Sequence, residues 1–125
     1  MTVSLEGLTI MVVEDDFLAA LDLKRVVEER AGKVAGPVGR LDQAEQLAQA
    51  ERLDGAILDV RLNGVDSLKL ADDLIARDIP VVLVTGYDPA TLPDRFADTP
   101  RLPKPFSEDS FDRLAADLFA GASPG

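Results

Sequence analysis

The chain has 125 residues, 46% of them hydrophobic, with 23 acidic against 13 basic side chains and a net charge of -10. That length suits a single domain that buries about two thirds of its unfolded surface, and the acidic surplus argues against nonspecific binding to nucleic acid or an anionic membrane. The absence of cysteine and histidine excludes disulfides, thiolate or imidazole metal ligands, a Ser-His catalytic pair and a histidine phosphoacceptor.

Met1 to Gly7 has neither the basic start nor the small-residue cleavage site of a signal peptide, and no apolar run nears the ~20 residues of a membrane helix. A cytoplasmic chain without membrane insertion is expected. Leu8 to Val13 (LTIMVV) is continuously apolar and β-branched, as in a strand buried on both faces. It stops at Glu14-Asp15-Asp16. From Phe17 to Arg30, Leu18, Leu21, Val26 and Val27 recur at helical spacing, with Asp15 or Asp16 as N-cap and Gly32 as the stop. Val34 to Val38 contains Gly36 and Pro37 and reads as an edge strand. Asp42 is placed to cap a helix running to about Arg52. Gly55 to Val60 is the central strand, Asn63-Gly64 the loop after it, and Val65 to Arg77 reads as a helix.

Ile79 to Val84 forms the next strand and ends at Thr85-Gly86. Pro89, Pro93 and Pro100 crowd the following segment, so a fourth helix there is short or irregular. Arg101-Leu102 is a very short strand before Pro103-Lys104-Pro105. Ser107 caps a last helix to about Phe119, with Glu108 and Asp109 in its first turn, where the helix dipole favours them. The tail 121–125 is expected to be disordered. Strands alternating with helices imply one α/β domain over residues 1–125, built on a parallel sheet covered on both faces.

In an open parallel sheet, ligands bind beyond the carboxyl ends of the strands. Glu14, Asp15, Asp59, Thr85 and Lys104 all follow apolar runs, so they share one rim. Each alone has an ordinary explanation: a helix cap, a turn aspartate, a turn threonine, a loop lysine. Their joint arrival on one rim is harder to explain that way. Clustered carboxylates favour a divalent cation, and Mg²⁺ takes one or two carboxylates with water and phosphate oxygens. With a cation and the Lys104 ammonium supplying charge, Asp59 can act as a nucleophile toward phosphorus, and the Thr85 hydroxyl can donate to a phosphoryl oxygen.

The stretches VVEDD (Val12 to Asp16), LDVRLNG (Leu58 to Gly64), VTGY (Val84 to Tyr87) and LPKPF (Leu102 to Phe106) resemble the receiver domain of bacterial two-component response regulators along nearly the whole chain. The resemblance implies a doubly wound, flavodoxin-like (βα)5 fold of strand order 2-1-3-4-5. It implies that Asp59 is the phosphoacceptor, that Glu14 and Asp15 bind Mg²⁺ with the Arg61 backbone carbonyl as a further ligand, and that Thr85 and Lys104 contact the phosphoryl group. The implied partners are a sensor histidine kinase or a histidine phosphotransfer protein and a downstream protein target, with output by contact or as a phosphate sink. Arg101 stands where many receivers carry an aromatic switch residue. Thr85-Gly86-Tyr87 resembles a subset of stand-alone receivers of alphaproteobacteria with a mobile fourth-helix region. Arg61 and Tyr87 occupy positions that tune the lifetime of the acyl phosphate. The competing readings are a phosphorylation-independent pseudo-receiver and a small Mg²⁺-dependent phosphatase or nucleotide binder. The second lacks its own signals: no second aspartate in Asp59-Val60-Arg61 and no glycine-rich loop after the first strand.

Overall fold

A computed structural model describes residues 3–86 and 92–120. Its elements are β1 (Thr9–Val13), α1 (Phe17–Glu29), β2 (Lys33–Val38), α2 (Leu41–Ala50), β3 (Gly55–Asp59), β4 (Arg61–Leu62), β5 (Val65–Asp66), α3 (Leu68–Ala76) and β6 (Val81–Thr85). A 3-10 turn (Asp94–Phe96), β7 (Arg101–Pro103) and α4 (Glu108–Ala115) follow, and α4 continues as a π turn, Ala116–Ala120. The main sheet is parallel, in the order β2-β1-β3-β6-β7. This is the expected doubly wound order, with β6 and β7 as fourth and fifth strands. The order reverses between β1 and β3, which opens a crevice at their carboxyl ends. Among the described residues, no helix is long and apolar enough to cross a membrane.

The central strands are apolar on both faces because both are covered. Ile10 and Val12 of β1 pack with Leu23, Val26 and Val27 of α1 and with Phe111 and Ala115 of α4. Met11 and Val13 face the other way, with Ala44 and Ala48 of α2 and Leu70, Ala71 and Leu74 of α3. Each fully buried leucine or isoleucine contributes about 1.5–3 kcal/mol. Phe119 from the π turn packs so closely on β3 that a Cβ at Gly55 would lie 2.3 Å from its ring.

Several local expectations change. The inner stripe of α1 is Ala20, Leu23, Val26 and Val27, whereas Leu18 is 74% exposed and Leu21 is also exposed. At 100° per residue, Leu18 and Leu21 form a different stripe from Val26 and Val27, so the four never shared one face. Asp16 does cap α1, accepting from the Leu18 and Ala19 N–H groups. The left-handed residue that ends it is Ala31, at φ 68, rather than Gly32. Gly32 is needed for closeness instead, since a Cβ there would meet Val27 Cγ1 at 2.8 Å. Arg40, not Asp42, holds the N-cap position of α2, and Asp42 lies in its first turn. Val65 and Asp66 are not helical: β5 pairs antiparallel with β4 in a hairpin, and α3 starts only at Leu68. Ser107 caps α4, accepting from the Ser110 N–H. The proline-rich segment holds only the 3-10 turn among its described residues. The tail 121–125 lies outside the described residues.

Candidate functional site

The crevice between β1 and β3 gathers side chains from three strand ends. Glu14 leaves β1 with its N–H donating to Val38 O of β2, which turns its carboxyl group into the crevice, buried. Glu14 Oε2 accepts from the Asp16 N–H at 3.0 Å. Asp59 ends β3, is also buried, and pairs in register with Val84 of β6, which places Thr85 one residue further along the neighbouring strand. Lys104 follows β7, and its N–H donates to Thr85 O at 2.9 Å. Its Nζ lies 2.7 Å from Asp59 Oδ2 and 2.7 Å from Glu14 Oε1. The β4–β5 hairpin closes one side: the Arg61 N–H donates to Asp59 Oδ1 at 3.2 Å and the Asn63 N–H to Asp15 Oδ2 at 2.8 Å.

Burial and the neighbouring Asp59 push the Glu14 carboxyl up to about 7, against the opposing pull of Lys104 and the Asp16 N–H. Partial burial works to raise Asp15 as well, but the Asn63 N–H, Glu14 and Lys104 outweigh it and hold it below the ordinary aspartate value. Burial disfavours the charged Lys104, yet its contacts with Asp59 and Glu14 prevail and raise it. The site is therefore acidic and charge-frustrated: one ammonium faces a set of carboxylates.

Carboxylate oxygens of Glu14, Asp15 and Asp59 all lie within 4.8 Å of one another, so the three could hold a metal ion. The donor set is all oxygen, which suits a hard divalent cation. Glu14 Oε1 is buried and its one contact among the described residues is the Lys104 ammonium, at 2.7 Å. One ammonium shared between Glu14 and Asp59 leaves the three carboxylates short of positive charge, which a divalent cation would supply.

Glu14, Asp15, Asp59 and Lys104 are thus brought together, with Thr85 at the adjoining strand end. Arg61 lies beside them in the hairpin. Tyr87 lies outside the described residues. Arg101 is not at the crevice. It starts β7 opposite Leu83, and its Nη2 donates to Phe96 O of the 3-10 turn at 3.2 Å, with Nε buried and without a partner among the described residues. Sequence reasoning overlooked three features: the Asn63 N–H on Asp15, the buried Ser67 behind Asp59, and the exposed face of α1. That face, with Leu18, Leu21 and Arg25, bounds a groove completed by Gly86, Lys104 and Phe106. The unexplained second apolar stripe of α1 was the one signal for the groove; the hairpin hid the other two.

The response regulator receiver domain family matches residues 10–112. The fold is similar to the solution structure of SdrG from Sphingomonas melonis Fr1, with a TM-score of 0.82, 36% identity, and coverage of 92% of this chain and 98% of that one. It is also similar to the BeF3-activated conformation of SdrG, with a TM-score of 0.77 and 34% identity over 95% of this chain and 99% of that one. Among curated proteins, the transcriptional regulatory protein PdtaR of Mycobacterium tuberculosis is 28% identical over 78% of this chain, which spans 50% of its length. The phyllosphere-induced regulator PhyR of Methylorubrum extorquens is 32% identical over 70% of this chain and 32% of its own. The chain thus spans half or less of the length of these curated relatives. With its strand order, its acidic crevice and a match over most of its length, the chain belongs to the response regulator receiver domain family.

Proposed function

We propose that this chain receives a phosphoryl group on Asp59 from a phosphohistidine of a sensor histidine kinase or a histidine phosphotransfer protein, with Mg²⁺ held by Glu14, Asp15, Asp59 and the Arg61 backbone carbonyl. The observation that carries this reading is the placement of Lys104 Nζ at 2.7 Å from both Glu14 Oε1 and Asp59 Oδ2 in an acidic crevice. A nucleophilic carboxylate, a cation and a set of metal-binding oxygens meet there. When bound, Mg²⁺ neutralises phosphoryl oxygens and offsets the repulsion among the carboxylates.

Asp59 is the nucleophile. One of its oxygens attacks phosphorus, the new P–O bond forms as the donor P–N bond breaks, and the electron pair stays with the imidazole nitrogen. Lys104, already paired with Asp59, neutralises the transferred group's charge. The Thr85 hydroxyl donates to a phosphoryl oxygen. The groove beside Lys104 receives a helix of the donor protein, since its apolar wall on α1, Leu18 and Leu21, is exposed and Lys104 lies in its lining. Output passes through a protein contact or ends in a phosphate sink. Tyr87 and Arg61 tune the lifetime of the acyl phosphate. Arg101, bonded to the Phe96 carbonyl, links β7 to the 3-10 turn in place of an aromatic switch.

The test is labelling by acetyl phosphate with MgCl2, mapped by mass. Wild-type protein gains one phosphoryl group on Asp59, and Asp59→Asn gains none. Phosphate on the Asp59→Asn chain would overturn the assignment. An unlabelled wild type with intact fold would leave a phosphorylation-independent interaction module.

A further inference from the structure

Ser67 is fully buried, at 0% exposure, and takes no part in the chemistry above. It occupies the N-cap position of α3, where a serine normally accepts from the helix's first N–H groups. Here it caps nothing. The Asp66 carboxylate accepts from the Leu68 N–H instead. The Ser67 hydroxyl points backward and donates to the carbonyl oxygen of Asp59 at 2.6 Å. Its N–H donates to the next carbonyl, Val60 O, at 2.9 Å. One residue therefore clasps the two consecutive carbonyls at which β3 leaves the sheet.

We propose that Ser67 is a positioning residue for the phosphoacceptor, holding the Asp59–Val60 peptide so that the Asp59 carboxylate and the Arg61 backbone keep their mutual geometry. This inference rests on Asp59 being the phosphoacceptor. Beyond Asp59 the chain turns at once into the β4–β5 hairpin, so the orientation of that peptide plane sets where Arg61 lies. The Arg61 N–H donates to Asp59 Oδ1, and two residues on, the Asn63 N–H holds Asp15. A rotation of the Asp59–Val60 peptide displaces both contacts together. Without the hydroxyl, a buried carbonyl loses its short bond, and an unpaired buried carbonyl drives such a rotation toward any other donor. Ser67 touches no reacting atom and acts through the backbone of Asp59.

The experiment compares wild type, Ser67→Ala, Ser67→Cys and Ser67→Thr. Labelling by acetyl phosphate is followed against donor concentration at saturating MgCl2. Mg²⁺ affinity is read from amide shifts of Arg61 and Asn63, and urea denaturation gives the folded fraction. In Ser67→Ala the maximal labelling rate per folded molecule falls about tenfold, short of the hundredfold that an ångström of misplacement can cost. The half-saturating donor concentration is unchanged and Mg²⁺ binds severalfold more weakly. Ser67→Thr, which keeps the hydroxyl, restores the rate. A Ser67→Ala protein that loses stability yet labels at the wild-type rate per folded molecule overturns the proposal. If alanine does not fold, Ser67→Cys, which fills the site with a somewhat larger and much weaker donor, gives the same comparison. Failure of both to fold marks a purely structural hydroxyl and also overturns it. An unlabelled wild type refutes the phosphoacceptor reading instead. In that case Mg²⁺ affinity decides: a wild-type value in Ser67→Ala refutes the positioning role.

Discussion

Mg²⁺ binding should depend on pH through Glu14. Its carboxyl is held at about 7 by burial and by Asp59, so a proton must leave before both of its oxygens can serve a cation. At about pH 6 roughly one molecule in ten has Glu14 ionised, and at about pH 8 roughly nine in ten. The apparent Mg²⁺ affinity should therefore rise about tenfold over that interval, or about 1.4 kcal/mol. Asp15 is held below its usual value by the Asn63 N–H, stays ionised throughout, and adds no slope. Without metal the sign reverses. The folded-state value of Glu14 lies above the ordinary 4.5 of a glutamate, so the folded chain binds more protons than the unfolded one across that window. Metal-free stability then falls as pH rises from about 4.5 to about 7 and levels off above. Calorimetric titration with MgCl2 at the two pH values measures the affinity, and Glu14→Gln supplies the control. In melting curves, the midpoint gain that Mg²⁺ well above its dissociation constant gives over the metal-free chain should be about 4–6 °C larger at the higher pH, offsetting the fall in metal-free stability. An affinity equal within about twofold at both pH values, against the tenfold expected from the linkage, would refute the reasoning. So would a slope that survives in Glu14→Gln.

Three further outcomes follow from the packing. Gly55→Ala forces a Cβ to 2.3 Å from the Phe119 ring and should cost about 1–3 kcal/mol in urea denaturation; an unchanged midpoint would mean the π turn yields freely. Asp112→Ala removes the main carboxylate partner of Arg30, whose side chain is 1% exposed, and should cost about 3 kcal/mol at neutral pH. Because Arg30 pulls Asp112 below the ordinary 3.8 of an aspartate, that contribution is complete above about pH 4 and lost as pH falls through the folded value. Wild type and variant should converge in strong acid, and a constant gap would count against the ion pair. Leu18→Glu, on the exposed face of α1, should shift stability by less than about 0.5 kcal/mol and leave labelling by acetyl phosphate unchanged. Under the proposed docking, transfer from a phosphohistidine donor protein should slow by about tenfold, as loss of an interface anchor does; equal transfer rates would place donor docking elsewhere.

The strand ends were legible in the sequence because β1, β3 and β6 are covered on both faces. Such strands read as unbroken apolar runs, and the polar residue that stops each run marks a carboxyl end on one rim. Glu14, Asp59 and Thr85 were placed that way, Lys104 by the short strand before it, and the Asp16 and Ser107 caps came from short-range local chemistry. What periodicity could not decide was anything set by a distant partner. Leu18 and Leu21 look as helical and apolar as Leu23 and Val26, and only the sheet and α4 select which stripe of α1 is buried. Val65 and Asp66 fit the helical pattern that follows them, but pairing with Arg61 and Leu62 draws them into a hairpin. That pairing is what places Asn63 on Asp15 and turns the Ser67 hydroxyl back toward the Asp59 carbonyl. The sequence by itself determined the sheet and the set of chemical groups at its rim, since both follow from local hydrophobic runs and their ends. Tertiary structure alone decided how those groups face one another, because that orientation depends on hydrogen bonds and packing between segments far apart in the chain.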